Sequence, residues 1–219
     1  MEQTIARAGL PRFVVFEGVD GAGKSTLARA LARYYRACAS ATPLYAGAFP
    51  GNAPGSLGEW VYRLHHGAAV GAPAVIAPPA LQALHVAAHI DAILTRIAPT
   101  LRADGHVLLD RYWWSTYAYA RRHATAEEAW GLVGAERPFW VGLPAPAIIY
   151  LTRRCSLRPD ELDAPSHAAL AAYYREVIAR ERAAGVRVHE LTNDGGITEM
   201  WVALLAALEL PLRPWPEGS

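Results

Sequence analysis

Gly18-Val19-Asp20-Gly21-Ala22-Gly23-Lys24-Ser25 sets glycines, a lysine and a hydroxyl at the spacing G-x-x-x-x-G-K-[ST], which wraps a chain of phosphates. Gly18, Gly21 and Gly23 let the backbone come close to an anion, and the following helix turns its N-terminal N–H groups towards it. The ammonium of Lys24 would bridge phosphate oxygens, and Ser25, with Thr26 beside it, would offer a hydroxyl to a magnesium ion. Of the 21 basic residues, Lys24 is the single lysine. The bland alternative is a capped glycine turn carrying a surface lysine, and the flanking elements weigh against it. A second pair, Asp110-Arg111, closes the apolar run His106 to Leu109. At the carboxyl edge of a parallel sheet this carboxylate could hold magnesium through water while the guanidinium clamps an acceptor phosphate. Read alone, the pair has a strand-end ion pair as its bland alternative.

The elements that must position these groups follow from periodicity. Arg12 to Glu17 is a buried strand, and Ser25 to Arg36 has helical spacing of its apolar residues. Pro43 to Ala46 is a short strand and Phe49 to Ser56 a Gly/Pro loop; Leu57 to His66 is a helix and Gly71 to Pro78 a loop. Pro79 to Ala98 reads as one long buried helix, and His106 to Asp110 as a strand. Helices over 112–122 and 126–133, a strand over 147–151, a polar segment over 152–165, a helix over 166–184, a strand over 186–191 and a last helix over 198–208 complete the chain. Alternating strands and helices give an α/β fold: three layers, with a five-stranded parallel sheet covered by helices on both faces and a short lid at about 152–165. Residues 1–219 form a single domain whose tail, 211–219, is expected to fray.

Two segments together resemble the thymidylate kinase family of phosphate-loop nucleoside monophosphate kinases. Phe16-Glu17-Gly18-Val19-Asp20-Gly21-Ala22-Gly23-Lys24-Ser25-Thr26 is similar to that family's loop over its whole length, and Asp110-Arg111-Tyr112-Trp113-Trp114-Ser115-Thr116-Tyr117-Ala118-Tyr119 to its D-R-Y-x-x-S-x-x-A-Y segment. The resemblance implies transfer of the ATP γ-phosphoryl group to a nucleoside monophosphate, above all dTMP to dTDP, with ATP and Mg2+ as cofactors. It implies that Gly18, Gly21, Ala22, Gly23, Lys24, Ser25 and Thr26 bind ATP and that Ser25 and Asp110 serve the metal. It places Asp20 near the acceptor sugar and Arg111 at its phosphate, with Ser115, Thr116 and Tyr119 lining the acceptor site together with Phe49 and Pro50. Arg153, Arg154 and Arg158 stand where the family carries its lid, and Ala22 occupies a loop position that is not arginine. One of the three is therefore a candidate arginine finger, with a solvated turn as the alternative.

The resemblance departs at three places. Asn52 stands where the family has an acceptor-phosphate arginine, with Arg63 in the next helix as a candidate substitute. His85 and His89 replace a stacking phenylalanine and a base-reading arginine; they are one helical turn apart and are either base contacts or helix-face residues. A metal reading of the pair lacks further ligands in the sequence. The lid segment is shorter than usual, which leaves room for another acceptor.

Net charge is +1 (21 basic against 20 acidic residues), which argues against a polymeric nucleic acid as partner, since a strand needs a basic track. Cys38 and Cys155 have no ligand or disulfide spacing, and no apolar run is long enough to span a membrane; both favour a cytoplasmic setting. Trp130 and Trp140 belong either to a homodimer face or to the core. Two other functions remain open: a kinase for a modified pyrimidine nucleotide, nucleoside or DNA hydroxymethyl group, with Tyr112, Trp113, Trp114, Tyr117 and Tyr119 as stacking rings, and a nucleotide-binding switch without turnover.

Overall fold

The computed structural model describes residues 9–66, 76–153 and 163–216. Strands β1 (Phe13–Gly18), β2 (Leu44–Ala48), β3 (His106–Asp110), β4 (Ala147–Thr152) and β5 (Val188–Thr192) form one sheet in the order β2-β3-β1-β4-β5. All four pairings are parallel. Consecutive strands lie on opposite sides of β1, so the order reverses there and opens a crevice at the carboxyl ends of β1 and β3. The register brings Phe16 opposite Asp110, which delivers Gly18 and Asp110 to that crevice.

Helix α1 (Lys24–Cys38) buries Leu27, Leu31, Tyr34 and Tyr35 on one stripe, and α8 (Ile197–Ala207) meets it through Trp201, 5.9 Å from Tyr34 between ring centroids. On the other face, β1 alternates Phe13 towards Tyr112 and Trp140 and Glu17 towards Ser115, following the strand period of two. Helices α5 (Trp113–Ala120) and α7 (Ala164–Ala183) cover this side, with α6 (Ala126–Gly134) and α3 (Pro78–Ala92) packed beside α5. Helix α2 (Leu57–His65) leans on α3. The expected α/β sandwich and its five strands are therefore present.

Four local expectations need correction or qualification. The helix expected over 79–98 is α3, a π-segment Ile93–Ile97 and α4 (Ala98–Arg102) in succession. Pro99 has no N–H and its ring crowds the carbonyl of Thr95, so the ladder widens instead of continuing. Thr95 reinforces this by turning its hydroxyl back to the Asp91 carbonyl, 2.7 Å away. Helix α7 starts at Ala164, inside the expected lid, because Asp163 caps the Ser166 N–H at 2.8 Å. Within the tail expected to fray, Tyr34 donates to the Pro211 carbonyl, Trp201 to that of Arg213, and the Trp215 ring packs 5.6 Å from Trp201. Most of the loop expected over 71–78, and Cys155, fall outside the described residues.

Trp130 and Trp140 are spent inside the chain, the first against Tyr117 and Arg180, the second against Phe13, Phe49 and Tyr112. Trp114, in the first turn of α5, is fully buried, and its indole N–H meets no acceptor among the described residues. Trp114→Ala should cost about 3–5 kcal/mol through the cavity it leaves. Trp114→Phe should cost only about 1 kcal/mol, because it also removes an unpaired buried donor. Urea denaturation of both variants separates the two effects, and equal losses would refute the account of the unpaired N–H.

Candidate active site

The phosphate loop runs from the end of β1 into α1, and geometry demands glycine at two points. Gly18 (φ 136°) lies so close to the Leu151 carbonyl that a Cβ would collide with it, and a Cβ on Gly23 (φ 99°) would come 2.6 Å from Asn193 Nδ2. Asn193 is buried after β5 and donates to the Ala22 carbonyl at 2.7 Å, so it braces the loop from the far strand. Its only sequence signal is an ordinary turn, Asn193-Asp194-Gly195-Gly196, which hides this role.

Lys24 is buried, and its ammonium donates to the Val19 carbonyl at 2.8 Å and lies 3.9 Å from Asp20 Oδ1. Burial first, then the Arg111 cation, lowers the Lys24 amine to about 8. The Ser25 hydroxyl donates to Asp110 Oδ2, whereas Asp110 Oδ1 is buried without a partner among the described residues. A hydroxyl and a half-satisfied carboxylate side by side at a helix N-terminus form the oxygen donor set that suits magnesium. These residues therefore fit the metal that the sequence implied. No cluster of three or more His, Cys, Asp or Glu side chains able to hold a metal occurs among the described residues.

Arg111 takes the left-handed backbone region (φ 82°) while its N–H donates to the Phe16 carbonyl at 2.9 Å. A non-glycine residue there is costly, and such costs concentrate at functional sites. The turn carries the guanidinium back to Asp20, which accepts from both Arg111 Nη2 and the Tyr119 hydroxyl. Burial pushes the Asp20 carboxyl up, but Arg111 and Lys24 together outweigh it and hold the group below its usual range. Asp20, Lys24, Arg111 and Tyr119 are thus brought together as expected.

Ser115 and Thr116 sit lower, both buried. The Ser115 hydroxyl donates to Glu17 Oε2 at 2.8 Å and receives Arg111 Nη1 at 3.3 Å, so it serves the arginine from beneath. Its Oγ is also 2.9 Å from the Tyr174 hydroxyl. Glu17 was legible only as a motif letter, yet it is fully buried and central to this network.

The acceptor side of the crevice carries the histidines. His85 Nε2 is 3.4 Å from His65 Nδ1, and burial, with the nearby His89, His65 and Arg111, lowers the His85 imidazole to about 3. His89 is deeper: Phe49 stacks on it at 4.1 Å, and its Nδ1 lies 2.5 Å from Glu136 Oε2. Glu136 Oε1 accepts from Trp140 Nε1 at 3.1 Å, and no local spacing signals that this carboxylate stands behind a histidine. Pro50 follows Phe49 through a cis peptide bond. Asn52 is exposed, and Arg63 is engaged by Glu59 at 2.7 Å on the surface of α2. Arg153 follows β4 half-buried, whereas Arg154 and Arg158 lie outside the described residues, as does most of the lid.

Because the Lys24 amine titrates near 8, affinity for a nucleoside triphosphate should hold up to that pH and fall by up to tenfold per unit above it, as proton uptake becomes part of binding. Calorimetric titration between pH 7 and 9.5 reads this slope. Lys24→Met should bind more weakly and lose it, and a slope retained in the variant would assign the titration elsewhere.

Comparison with known proteins identifies the family. The thymidylate kinase family model matches residues 16–155. A thymidylate kinase of Synechococcus sp. (strain CC9902) is 34% identical over 170 residues, covering 73% of this chain and 79% of that protein. A thymidylate kinase of Bradyrhizobium diazoefficiens is 29% identical over 214 residues, covering 90% of each. The crystal structure of thymidylate kinase from Ehrlichia chaffeensis superposes with a TM-score of 0.65 over 90% of this chain and 95% of that one, at 20% identity, and so shares the fold. With both signature segments inside the matched region and their side chains converging on one crevice, the chain belongs to the thymidylate kinase family.

Proposed function

We propose that this chain phosphorylates dTMP to dTDP in the cytoplasm, using ATP and magnesium. The observation that carries the reading is the pair Asp110-Arg111: one residue faces Ser25 at the donor end of the crevice, the next faces Asp20 at the acceptor end. Consecutive residues thereby tie a triphosphate cradle to an acceptor clamp.

In the reaction an acceptor phosphate oxygen bonds to the γ-phosphorus of ATP while the bond to the β-phosphate oxygen breaks, and ADP leaves with that electron pair. Such transfers ask a protein for alignment and charge neutralisation. The loop amides from Gly21 to Thr26 and the Lys24 ammonium hold the donor phosphates. Ser25 and Asp110 would hold magnesium, which neutralises phosphate charge when bound. Arg111 meets the acceptor phosphate with a fork of donors, and Asp20 fixes the direction of that fork while leaving a carboxylate near the acceptor sugar. Arg153, just after β4, is the described member of the lid set and the candidate there for the arginine that neutralises the transferred group. His85, neutral throughout the physiological range, offers a flat ring to the base.

A coupled ADP-release assay with a panel of monophosphates, nucleosides and single-stranded DNA tests the proposal. Turnover restricted to dTMP and close pyrimidine analogues is expected; turnover on a nucleoside or DNA alone would replace it with another acceptor. Arg111→Ala should lower kcat/KM for dTMP by about 100-fold or more while ATP affinity stays near its starting value. His85→Phe should remain within about threefold of the parent and His85→Ala should raise the KM for dTMP about tenfold, as expected of a stacking surface.

A further inference from the structure

Glu17 is a fully buried carboxylate beneath the crevice, and its four hydrogen bonds come from three residues in two parts of the site. Oε1 accepts the backbone N–H of Tyr112 at 2.8 Å and that of Ser115 at 2.9 Å. Oε2 accepts the Ser115 hydroxyl at 2.8 Å and the Gly18 N–H at 3.3 Å. Tyr112 and Ser115 form the entry to α5, Gly18 begins the phosphate loop, and Arg111 immediately precedes Tyr112. A carboxylate at a helix N-terminus meets the partial positive charge of the unpaired amides as well as the amides themselves. Neither Tyr112 nor any other α5 residue supplies a side-chain cap, so Glu17, from the sheet, takes that place.

We propose that Glu17 is a positioning residue for phosphoryl transfer: as the anion it clamps the start of α5 to β1 and so holds Arg111 in its left-handed turn against Asp20. The inference rests on the acceptor role given above to Arg111. Accepting four hydrogen bonds is within the capacity of an ionised carboxylate, whereas a protonated one turns one oxygen into a donor. Three of the four bonds come from backbone N–H groups, which cannot accept, and the Ser115 hydroxyl can accept only by turning its own hydrogen to Tyr174, so a proton on Glu17 reverses or gives up bonds of the clamp and loosens it. The charged and titratable groups around it are Lys24 from α1, Arg111 after β3, Tyr150 across β4 and Tyr174 from α7. Burial raises the Glu17 carboxyl to about 7 against the pull of Ser115, Arg111 and Lys24, which sets the closing of the clamp within the physiological range.

Two measurements decide the matter, one without substrate. Amide exchange followed by NMR should show Tyr112 and Ser115 protected at pH 8, with protection falling at least tenfold by pH 6. Glu17→Gln should lack that protection at every pH, and unchanged protection in the variant would overturn the proposal. With substrate, kcat/KM for dTMP should rise with pH through an inflection near 7, while the KM for ATP moves less than twofold. Glu17→Gln should fall at least tenfold in kcat/KM and lose the inflection, and a variant that keeps the inflection would overturn the proposal. Should Glu17→Gln fail to fold, Ser115→Ala serves instead: removing the hydroxyl should move the inflection to higher pH, and an unmoved inflection would count as refutation. If the parent chain transfers to no monophosphate, the acceptor reading fails and amide protection alone decides whether Glu17 clamps α5.

Discussion

Anions must be held at the edge of this sheet by groups that are themselves mostly withdrawn from water, and that constraint shapes everything nearby. A buried charge is tolerated only when partnered, and here each one is partnered by a residue from a different element. Asp20 from the loop meets Arg111 after β3, Lys24 reaches back over the loop to Val19, and Glu17 gathers the start of α5. Removing any single partner would leave another charge exposed to a low-dielectric surrounding. The cluster therefore behaves as a unit, and its members are legible only together.

The sheet order makes the cluster possible. β1 lies centrally, with β3 on one side and β4 on the other, and the crevice at its carboxyl end receives side chains from both neighbours. Asn193, two strands away from β1, reaches the loop only because β4 and β5 continue the same parallel register. A loop whose glycines permit close approach also permits collapse, and the Asn193 bond to Ala22 limits that freedom. The fold thus supplies rigidity at the positions where glycine removes it.

How much of this could be read from residues alone depends on whether the signal is local. The phosphate loop and Asp110-Arg111 have fixed spacing and neighbouring elements of clear period, so both were placed correctly, and every strand lies within a few residues of its expected bounds. The long helix was misread because periodicity is blind to a widened turn, although Pro99 was visible as the reason for one. Ser115 looked like a substrate contact because its position in a motif says nothing of depth; in the fold it faces Glu17 and Tyr174. Glu136 behind His89 joins residues 47 positions apart, and no spacing rule carries that information. Charged residues that act through burial have no periodic signature, so they emerge only when the chain closes on itself.

The choice of arginine as the general cation has a chemical corollary. Guanidinium groups stay protonated and are poor nucleophiles, so the surface offers acylating and aldehyde reagents no lysine. The one lysine side chain is held with its amine lowered to about 8 at the floor of the phosphate loop, where a larger share of it is uncharged than on any ordinary lysine. Side-chain amine chemistry in this protein therefore converges on a single nitrogen, the one whose charge holds the donor phosphates. A covalent label of that kind would count active sites directly, and a bound triphosphate would shield the nitrogen from it.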